Sequence, residues 1–260
     1  MIGLIALVAM GFAFSRAPAQ NTPKSQTEVS ANIPDLSGVW NRKVVRSASG
    51  VYADEFGGVP LLGFMKQEPP LQGEALEAFR ANRKGVTDAR LKGRDELDPL
   101  VACFPPGPTR IFAEPRPFEI RQTPQTVYIL SELDHWVRRI YVNGTEPNGF
   151  PPTWMGYSVG KYNGNTFVVD TRDVDDRTWV DGLGTPHSDA LHVVERYRRL
   201  NHDTLEVEFT FEDSKAYTKS WSGKKVFQLE PAGFQMKDEV ICEDYRKLGL
   251  RKDGYEFIKP

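Results

Sequence analysis

Two titratable residues, His187 and Glu195, lie beside or within runs that otherwise alternate like a half-buried β-sheet. A histidine exchanges a proton near neutral pH, and a carboxyl group among apolar side chains can act as a general acid or base. The pair therefore predicts acid/base chemistry, with His187 as base or acid and Glu195 as its partner. Two plainer interpretations remain: a rim histidine that caps a turn through Ser188 or Asp189, and a structural salt bridge that buries Glu195.

The pairing of two neighbouring strands predicts the direction of the Glu195 side chain. A loop around Asn201–Asp203 gives two opposite-charge pairs on one face, Arg198 with Glu206 and Arg196 with Glu208. The same register sets Val193, Glu195 and Tyr197 opposite Phe211, Phe209 and Val207. A slip by one residue would place the arginines against apolar side chains. We therefore expect Glu195 to point into an apolar interior.

A buried carboxylate requires a cation, hydrogen bonds or a proton. Arg138, Arg139 and Arg199 are the arginines that strand context places best as its partner. In a reaction, Arg138 or Arg139 would also stabilise developing negative charge.

Asp170, at the end of the strand-like run TFVVD, is the third candidate acid. A two-residue loop at Asn163–Gly164, a strong hairpin signal, would set Asp170 opposite Tyr157. Both faces are similarly apolar here, so the direction of the carboxylate stays open. The alternative to a catalytic role is a strand-end carboxylate that orders the following loop.

Aromatic residues are concentrated around these polar groups: Trp136, Tyr141, Trp154, Tyr157 and Trp179. Core and rim packing accounts for such a concentration. A pocket for a flat, apolar or phenolic molecule accounts for the aromatic residues equally well, because ligand cavities are mostly apolar with few polar groups. In that case the predicted ligand-binding residues are Trp154, Tyr157, Trp179, Tyr141 and Tyr197.

The sequence predicts neither a metal site nor a cofactor. His187 and His192, with Asp181 and Asp189, are the best candidate metal ligands, but the two histidines face opposite ways on an extended strand. Metal-binding histidine or cysteine spacings, the GxSxG elbow, the GxGxxG loop and the phosphate-binding P-loop do not occur.

The composition argues against a nucleic-acid partner, because the 260-residue chain has a formal net charge of -2. An apolar run within residues 1–19 ends in Ala17-Pro18-Ala19, which predicts a signal peptide cleaved near Ala19 and a periplasmic or secreted protein. An uncleaved anchor is the alternative. Residues 20–34 predict a disordered lead-in, and no later segment is apolar enough to span a membrane.

Cys103 and Cys242 are the only cysteines. In an oxidising compartment such a pair usually forms a disulfide, which here would join the loop CFPPGPTR to the C-terminal segment VICEDY. Two separate buried thiols are the alternative.

Short strands dominate residues 35–260, which we interpret as a single, mainly β domain forming a barrel or sandwich. Residues 50–73 and 95–118 are rich in proline or glycine, and a helix is expected over Gly73–Leu91 with an interruption at Gly85. The triplet Gly38-Val39-Trp40 opens the domain as in many lipocalin-type barrels.

Long blocks of the chain resemble a widespread family of secreted, mostly uncharacterised bacterial proteins. The blocks are CFPPGPTR, RRIYVNG, PPTWMGYSVGKYNGNTFVVDT, RTWVDGLGTPHSDALHVVERYRR and DTLEVEFTFEDSKAYTKSW. The resemblance covers about Asp35 to Cys242 and implies an exported, antiparallel lipocalin- or calycin-like β-barrel with a long N-terminal insertion. It points to Trp154, Asp170, Trp179, His187 and Glu195, with Arg138 or Arg139, as site residues, and implies little about the reaction.

These observations predict a cofactor-independent enzyme that performs a lyase, isomerase or hydratase step on a small hydrophobic or phenolic molecule, for example a lignin-derived aromatic. A non-catalytic lipocalin-like carrier of a small apolar ligand is the main alternative, because it needs the same barrel without a proton donor. A structural module with a solid core is the third. Both a monomer and a homodimer are compatible with the sequence.

Overall fold

Nine strands close into a barrel in the computed structural model, which describes residues 33–46, 52–54, 59–92, 98–145, 151–237 and 242. In chain order the strands are β1 (Gly38–Asn41), β2 (Val44–Arg46), β3 (Tyr52–Asp54), β4 (Phe118–Gln122), β5 (Thr126–Ser131), β6 (Val137–Val142), β7 (Tyr157–Asn163), β8 (Thr166–Arg172), β9 (His192–Asn201), β10 (Thr204–Glu212) and β11 (Trp221–Leu229). The predicted signal peptide and nearly all of the predicted lead-in lie outside the described residues.

The barrel order is β1-β11-β10-β9-β8-β7-β6-β5-β4, and β4 pairs with β1 to close it; β2 and β3 form a separate hairpin. The mainly β prediction is confirmed, and the architecture is consistent with a lipocalin-like fold. One contact departs from the antiparallel expectation, because β6 and β7 are parallel. The connection between β6 and β7 is therefore not a tight hairpin, since parallel neighbours need a longer crossover.

The predicted register of β9 and β10 is confirmed. Arg198 pairs with Glu206 and Glu195 pairs with Phe209, and a bulge near the hairpin end leaves His202 and Asp203 in the turn. The alternation of apolar and charged residues along both strands favours this register, because a slip by one residue would turn the apolar faces outward.

The β7–β8 hairpin differs from the sequence prediction by its loop residues. Asn163 pairs with Thr166, so the loop is Gly164–Asn165. Gly164 has φ +57°, the left-handed conformation that a type II′ turn requires at its first loop position. Asp170 consequently lies opposite Val159 rather than Tyr157. Its side chain is on the outer face of the barrel.

Two α-helices accompany the barrel among the described residues, α1 (Gly73–Lys92) and α2 (Gly107–Ala113). α1 confirms the predicted helix but continues through Gly85, where an interruption was expected. α2 was not predicted, and all seven of its residues are buried.

The barrel interior is filled by two non-strand segments as well as by inward strand side chains. Phe112 of α2 packs against aromatic rings of β4, β9, β10 and β11. Phe64, from the loop before α1, contacts Phe209 and Phe211. Gly223 on β11 makes room for this loop, because a Cβ there would collide with the Phe64 backbone.

The predicted disulfide is confirmed: Cys103 and Cys242 are bonded, with their Cα atoms 5.5 Å apart. It ties the loop that leads into α2 to a residue 139 positions later in the chain. Among the described residues, no helix is long and apolar enough to cross a membrane.

Candidate functional site

Glu195 points into the barrel interior, as the register argument predicts, and is 0% exposed. Arg138 of β6, 1% exposed, faces it and donates two hydrogen bonds of 2.9 Å, one to each carboxylate oxygen. Such a paired geometry neutralises two charges that the apolar interior would not tolerate separately.

The remaining donors and acceptors of this ion pair are also occupied. The Arg138 guanidinium donates to Ser158 Oγ, Thr171 Oγ1 and the Pro108 carbonyl oxygen. The Tyr197 hydroxyl donates to Glu195 Oε2 over 3.1 Å. Burial raises the pKa of Tyr197 well above its ordinary value, so this hydroxyl stays protonated. Proton transfer at Glu195 would first have to break this network.

Of the three arginines that the sequence proposed as partners, only Arg138 lies inside. Arg139 is exposed on the outer face of β6. Arg199 donates to the backbone carbonyls of Asp35 and His202 near the far hairpin. Strand alternation separates Arg138 from Arg139, because neighbouring residues point to opposite faces.

His187 lies at one end of the barrel, where β7 begins, β8 ends and β9 begins; we call this end the mouth. Its Nδ1 lies 2.9 Å from the Ser188 carbonyl oxygen and its Nε2 lies 2.8 Å from Thr178 Oγ1. A carbonyl oxygen only accepts, so Nδ1 carries the proton and the neutral ring accepts from Thr178 at Nε2. The Asp175 carbonyl oxygen, 3.1 Å from the same hydroxyl, competes for that proton.

The loop that carries His187 is fixed by a residue that the sequence did not single out. Asp213 accepts hydrogen bonds from the backbone N–H and the hydroxyl of Ser188, at 2.6 and 2.8 Å. The Tyr217 hydroxyl donates to the Pro186 carbonyl. These bonds orient His187 towards Thr178, whereas Glu195 is bonded to Arg138 and Tyr197. The two predicted catalytic groups are therefore not hydrogen-bonded to each other.

A second group of side chains at the mouth is open to solvent. Phe104 is 39% exposed and stacks on Trp154, with ring centroids 5.0 Å apart and planes 20° apart. The Arg177 guanidinium lies 4.2 Å from the centre of the Trp154 ring and is held by two hydrogen bonds to the Asp175 carboxylate. We call Phe104, Trp154 and Arg177 the mouth cluster.

Trp179 is buried beside this cluster, with the Arg110 guanidinium 5.3 Å from its ring centre. Arg110 is itself buried and bonded to Asp98 and Glu114. Trp179 therefore offers little surface to a ligand.

Three of the remaining predicted site residues lie on the outer wall. Tyr141 and Tyr157 stack on each other with ring centroids 5.2 Å apart. Asp170 accepts from His192 Nε2 at 2.7 Å, and His192 Nδ1 lies 3.0 Å from Glu212. The predicted residues thus divide among three places: the interior, the mouth and the outer wall.

Two clefts open on the surface of the described residues, and the mouth cluster lines neither of them. Within the part of the chain that the structure describes, no group of three histidine, cysteine or acidic side chains could hold a metal ion. A shallow cleft of about 310 Å³ lies beside Arg199 and His202, and a narrow one of about 70 Å³ lies between α1 and Asp181. Neither cleft is lined by the predicted site residues.

The burial of His187 predicts a pH-dependent stability. Burial lowers the pKa of His187 below its ordinary value of 6.5, although the Ser188 carbonyl and nearby aspartates oppose the shift. Below pH 6.5 the unfolded chain takes up a proton that the folded chain refuses, so the free energy of unfolding falls as pH decreases towards the folded pKa. Urea denaturation on both sides of pH 6.5 measures this fall.

The variant His187→Gln keeps a hydrogen-bonding group but cannot titrate, so we expect a flatter pH dependence. His202→Gln, at the exposed turn between β9 and β10, is the matched control and should retain the slope of the parent protein. Identical slopes for the parent and His187→Gln would contradict the burial argument.

Comparison of the chain with family models, curated proteins and solved structures gave no match.

Proposed function

We propose that this protein is an exported small-molecule-binding β-barrel that holds a hydrophobic or phenolic ring at the mouth cluster. The observation that carries the proposal is the exposed Phe104 ring stacked on Trp154 beside the Arg177 guanidinium. Large aromatic rings and an arginine that remain accessible on one loop surface are characteristic of ligand contacts rather than of core packing.

The chemistry of the cluster favours a flat ring with an oxygen substituent. Trp154 and Phe104 offer π faces, and stacked aromatic pairs prefer the offset arrangement already adopted by these two rings. Arg177 can interact with an aromatic face as a cation and can donate to a phenolic oxygen, since its side chain is 59% exposed. An apolar surface with one placed donor is the usual composition of a small-molecule site.

Binding is favoured over catalysis by Glu195 because both oxygens of that carboxylate are engaged by Arg138 and Tyr197. Export to the periplasm or the medium is supported by the disulfide, which is typical of oxidising compartments, and by the predicted signal sequence.

Acid/base catalysis on the bound ring is the second candidate, and one contact favours it. Thr178 directly follows Arg177 of the mouth cluster, and its hydroxyl lies 2.8 Å from His187 Nε2. A hydroxyl paired with an imidazole whose other nitrogen is fixed can relay a proton. A lyase or isomerase step would then depend on both Thr178 and His187. Equal turnover of the aromatic substrate by the parent protein, Thr178→Val and His187→Gln would rule this candidate out.

Replacing Trp154 by alanine should weaken the binding of 4-methylphenol by about fivefold, because a stacked aromatic contact contributes about 1 kcal/mol beyond its buried area. Isothermal titration calorimetry measures the change. Tyr141→Ala removes an aromatic ring that is as exposed as Phe104 but lies on the outer wall, and should leave the affinity unchanged. The proposal fails if Trp154→Ala and Phe104→Ala bind as tightly as the parent protein.

A further inference from the structure

α2 occupies the barrel interior in the way that a small ligand would. The Phe112 ring is enclosed by aromatic rings from four different strands, Phe118, Tyr197, Phe209 and Phe227, at centroid distances of 5.0, 6.1, 5.5 and 6.0 Å. Phe112 itself is 0% exposed. The wall of the barrel therefore forms an aromatic cage around one ring that does not belong to a strand.

A hydrogen-bond donor of the wall is directed at the same segment. Arg138 Nη1 donates to the Pro108 carbonyl oxygen over 3.1 Å. This bond uses donor capacity that remains after Glu195 has neutralised the charge of Arg138. Tyr197 links the two features, since its ring is part of the cage and its hydroxyl bonds to Glu195. The interior thus recognises an aromatic ring together with an acceptor oxygen.

α2 depends on these contacts for its own conformation. It has seven residues, and an isolated helix of that length is not stable in water. Other contacts also hold it: Thr109 Oγ1 donates to the Val180 carbonyl, Arg42 Nη2 donates to the Ala113 carbonyl, and Arg110 is bonded to Asp98 and Glu114. A ligand that supplies the same ring and acceptor contacts therefore competes with α2 for the interior.

We propose that the barrel interior is a second ligand site, closed by α2 as an autoinhibitory segment. Its ligand class is a small aromatic ring bearing a carbonyl oxygen, as in aryl ketones and aryl esters. The ring takes the place of Phe112 and the carbonyl takes the place of the Pro108 oxygen on Arg138. This site goes beyond the mouth cluster and does not depend on it.

Hydrogen exchange of the parent protein tests the competition directly. Acetophenone and ethylbenzene serve as probes, because they have the same ring and nearly the same size but differ in the carbonyl oxygen. We expect acetophenone to accelerate exchange of the α2 amides more than ethylbenzene does at equal concentration. The same acceleration should occur in Trp154→Ala, which impairs only the mouth, so failure of the mouth proposal and failure of this one are distinguishable.

Phe112→Ala tests the cage, because it empties the space of one ring. We expect this variant to bind acetophenone about tenfold more tightly than the parent protein does. Phe79→Ala, which empties a buried site on α1 outside the barrel, is the matched control and should bind no more tightly than the parent. Unchanged exchange of α2 with acetophenone, or equal affinities of the two alanine variants, overturns the proposal; if Phe112→Ala does not fold, the exchange result alone decides.

Discussion

Replacing Arg138 by methionine is expected to lower the free energy of unfolding by about 3–5 kcal/mol, the usual effect of removing one partner of a buried ion pair. The substitution leaves the Glu195 carboxylate in the barrel without a counter-ion. It also removes the hydrogen bonds that Arg138 donates to Ser158, Thr171 and the Pro108 carbonyl. Urea denaturation followed by tryptophan fluorescence measures the loss.

The double variant Arg138→Met/Glu195→Leu separates the ion pair from the loss of packing. Replacing both partners by apolar residues should recover most of the stability, because no charge is then left buried. Lys215→Met is the control, since it removes one partner of the exposed pair with Asp189 and should leave the melting temperature unchanged. If Arg138→Met is no less stable than Lys215→Met, the hydrogen-bonded network around Arg138 and Glu195 does not stabilise the fold as proposed.

Loss of the disulfide is the second large effect that we expect. Replacing Cys103 and Cys242 by serine should cost about 2–5 kcal/mol of unfolding free energy, at the upper end of that range because the closed loop is long. The two residues are 139 positions apart, so the crosslink strongly restricts the unfolded chain. Guanidinium denaturation of the oxidised parent and of the double serine variant gives the difference.

Reduction of the disulfide in the parent protein should lower its free energy of unfolding by as much as the two serine substitutions do. The disulfide also anchors the loop that presents Phe104 at the mouth, so the serine variant should bind 4-methylphenol more weakly than the oxidised parent. A denaturation midpoint that does not respond to a reducing agent would contradict this account of the crosslink.

The sequence was sufficient to place Glu195 because three constraints agreed. Alternation along β10, the two cross-strand charge pairs and the apolar partners of the inner face allow only one register, and the structure has it. Arg138 could be proposed but not separated from Arg139 without the position of β6, because either residue of an adjacent pair satisfies the same pattern.

Asp170 shows where local patterns were insufficient. Its cross-strand partner depended on which two residues form the β7–β8 loop, and an Asn-Gly pair is typical of a type I′ turn. The structure instead places the glycine first in the loop, which changes the cross-strand partner of Asp170 from Tyr157 to Val159. This shift by two residues leaves the face unchanged, because alternate residues of a strand share a face. With both faces of β8 nearly equally apolar, the sequence did not determine which face carries Asp170, and the structure places it on the outer wall.

The contents of the barrel and the mouth cluster could not be derived from periodicity. α2 is too short and too rich in proline and glycine to show a helical pattern, and Phe104 and Arg177 lie in irregular loops. Their positions depend on tertiary contacts such as the bond between Arg138 and the Pro108 carbonyl. Asp213 was missed for the same reason, since its partner Ser188 is 25 residues away.

The resulting organisation separates stability from recognition. Titratable groups in the interior neutralise one another, and the groups with accessible surfaces lie on the loops at the mouth. This division is common in barrel proteins, in which a rigid scaffold positions loops that carry the function.

Nuclear Overhauser contacts between bound 4-methylphenol and the protein test the central claim most directly. We predict contacts from the ring protons of the ligand to the Trp154 indole and the Phe104 ring, and their loss in Trp154→Ala. Contacts confined to other side chains, or none at saturating ligand, would contradict the assignment of the mouth cluster as the binding site.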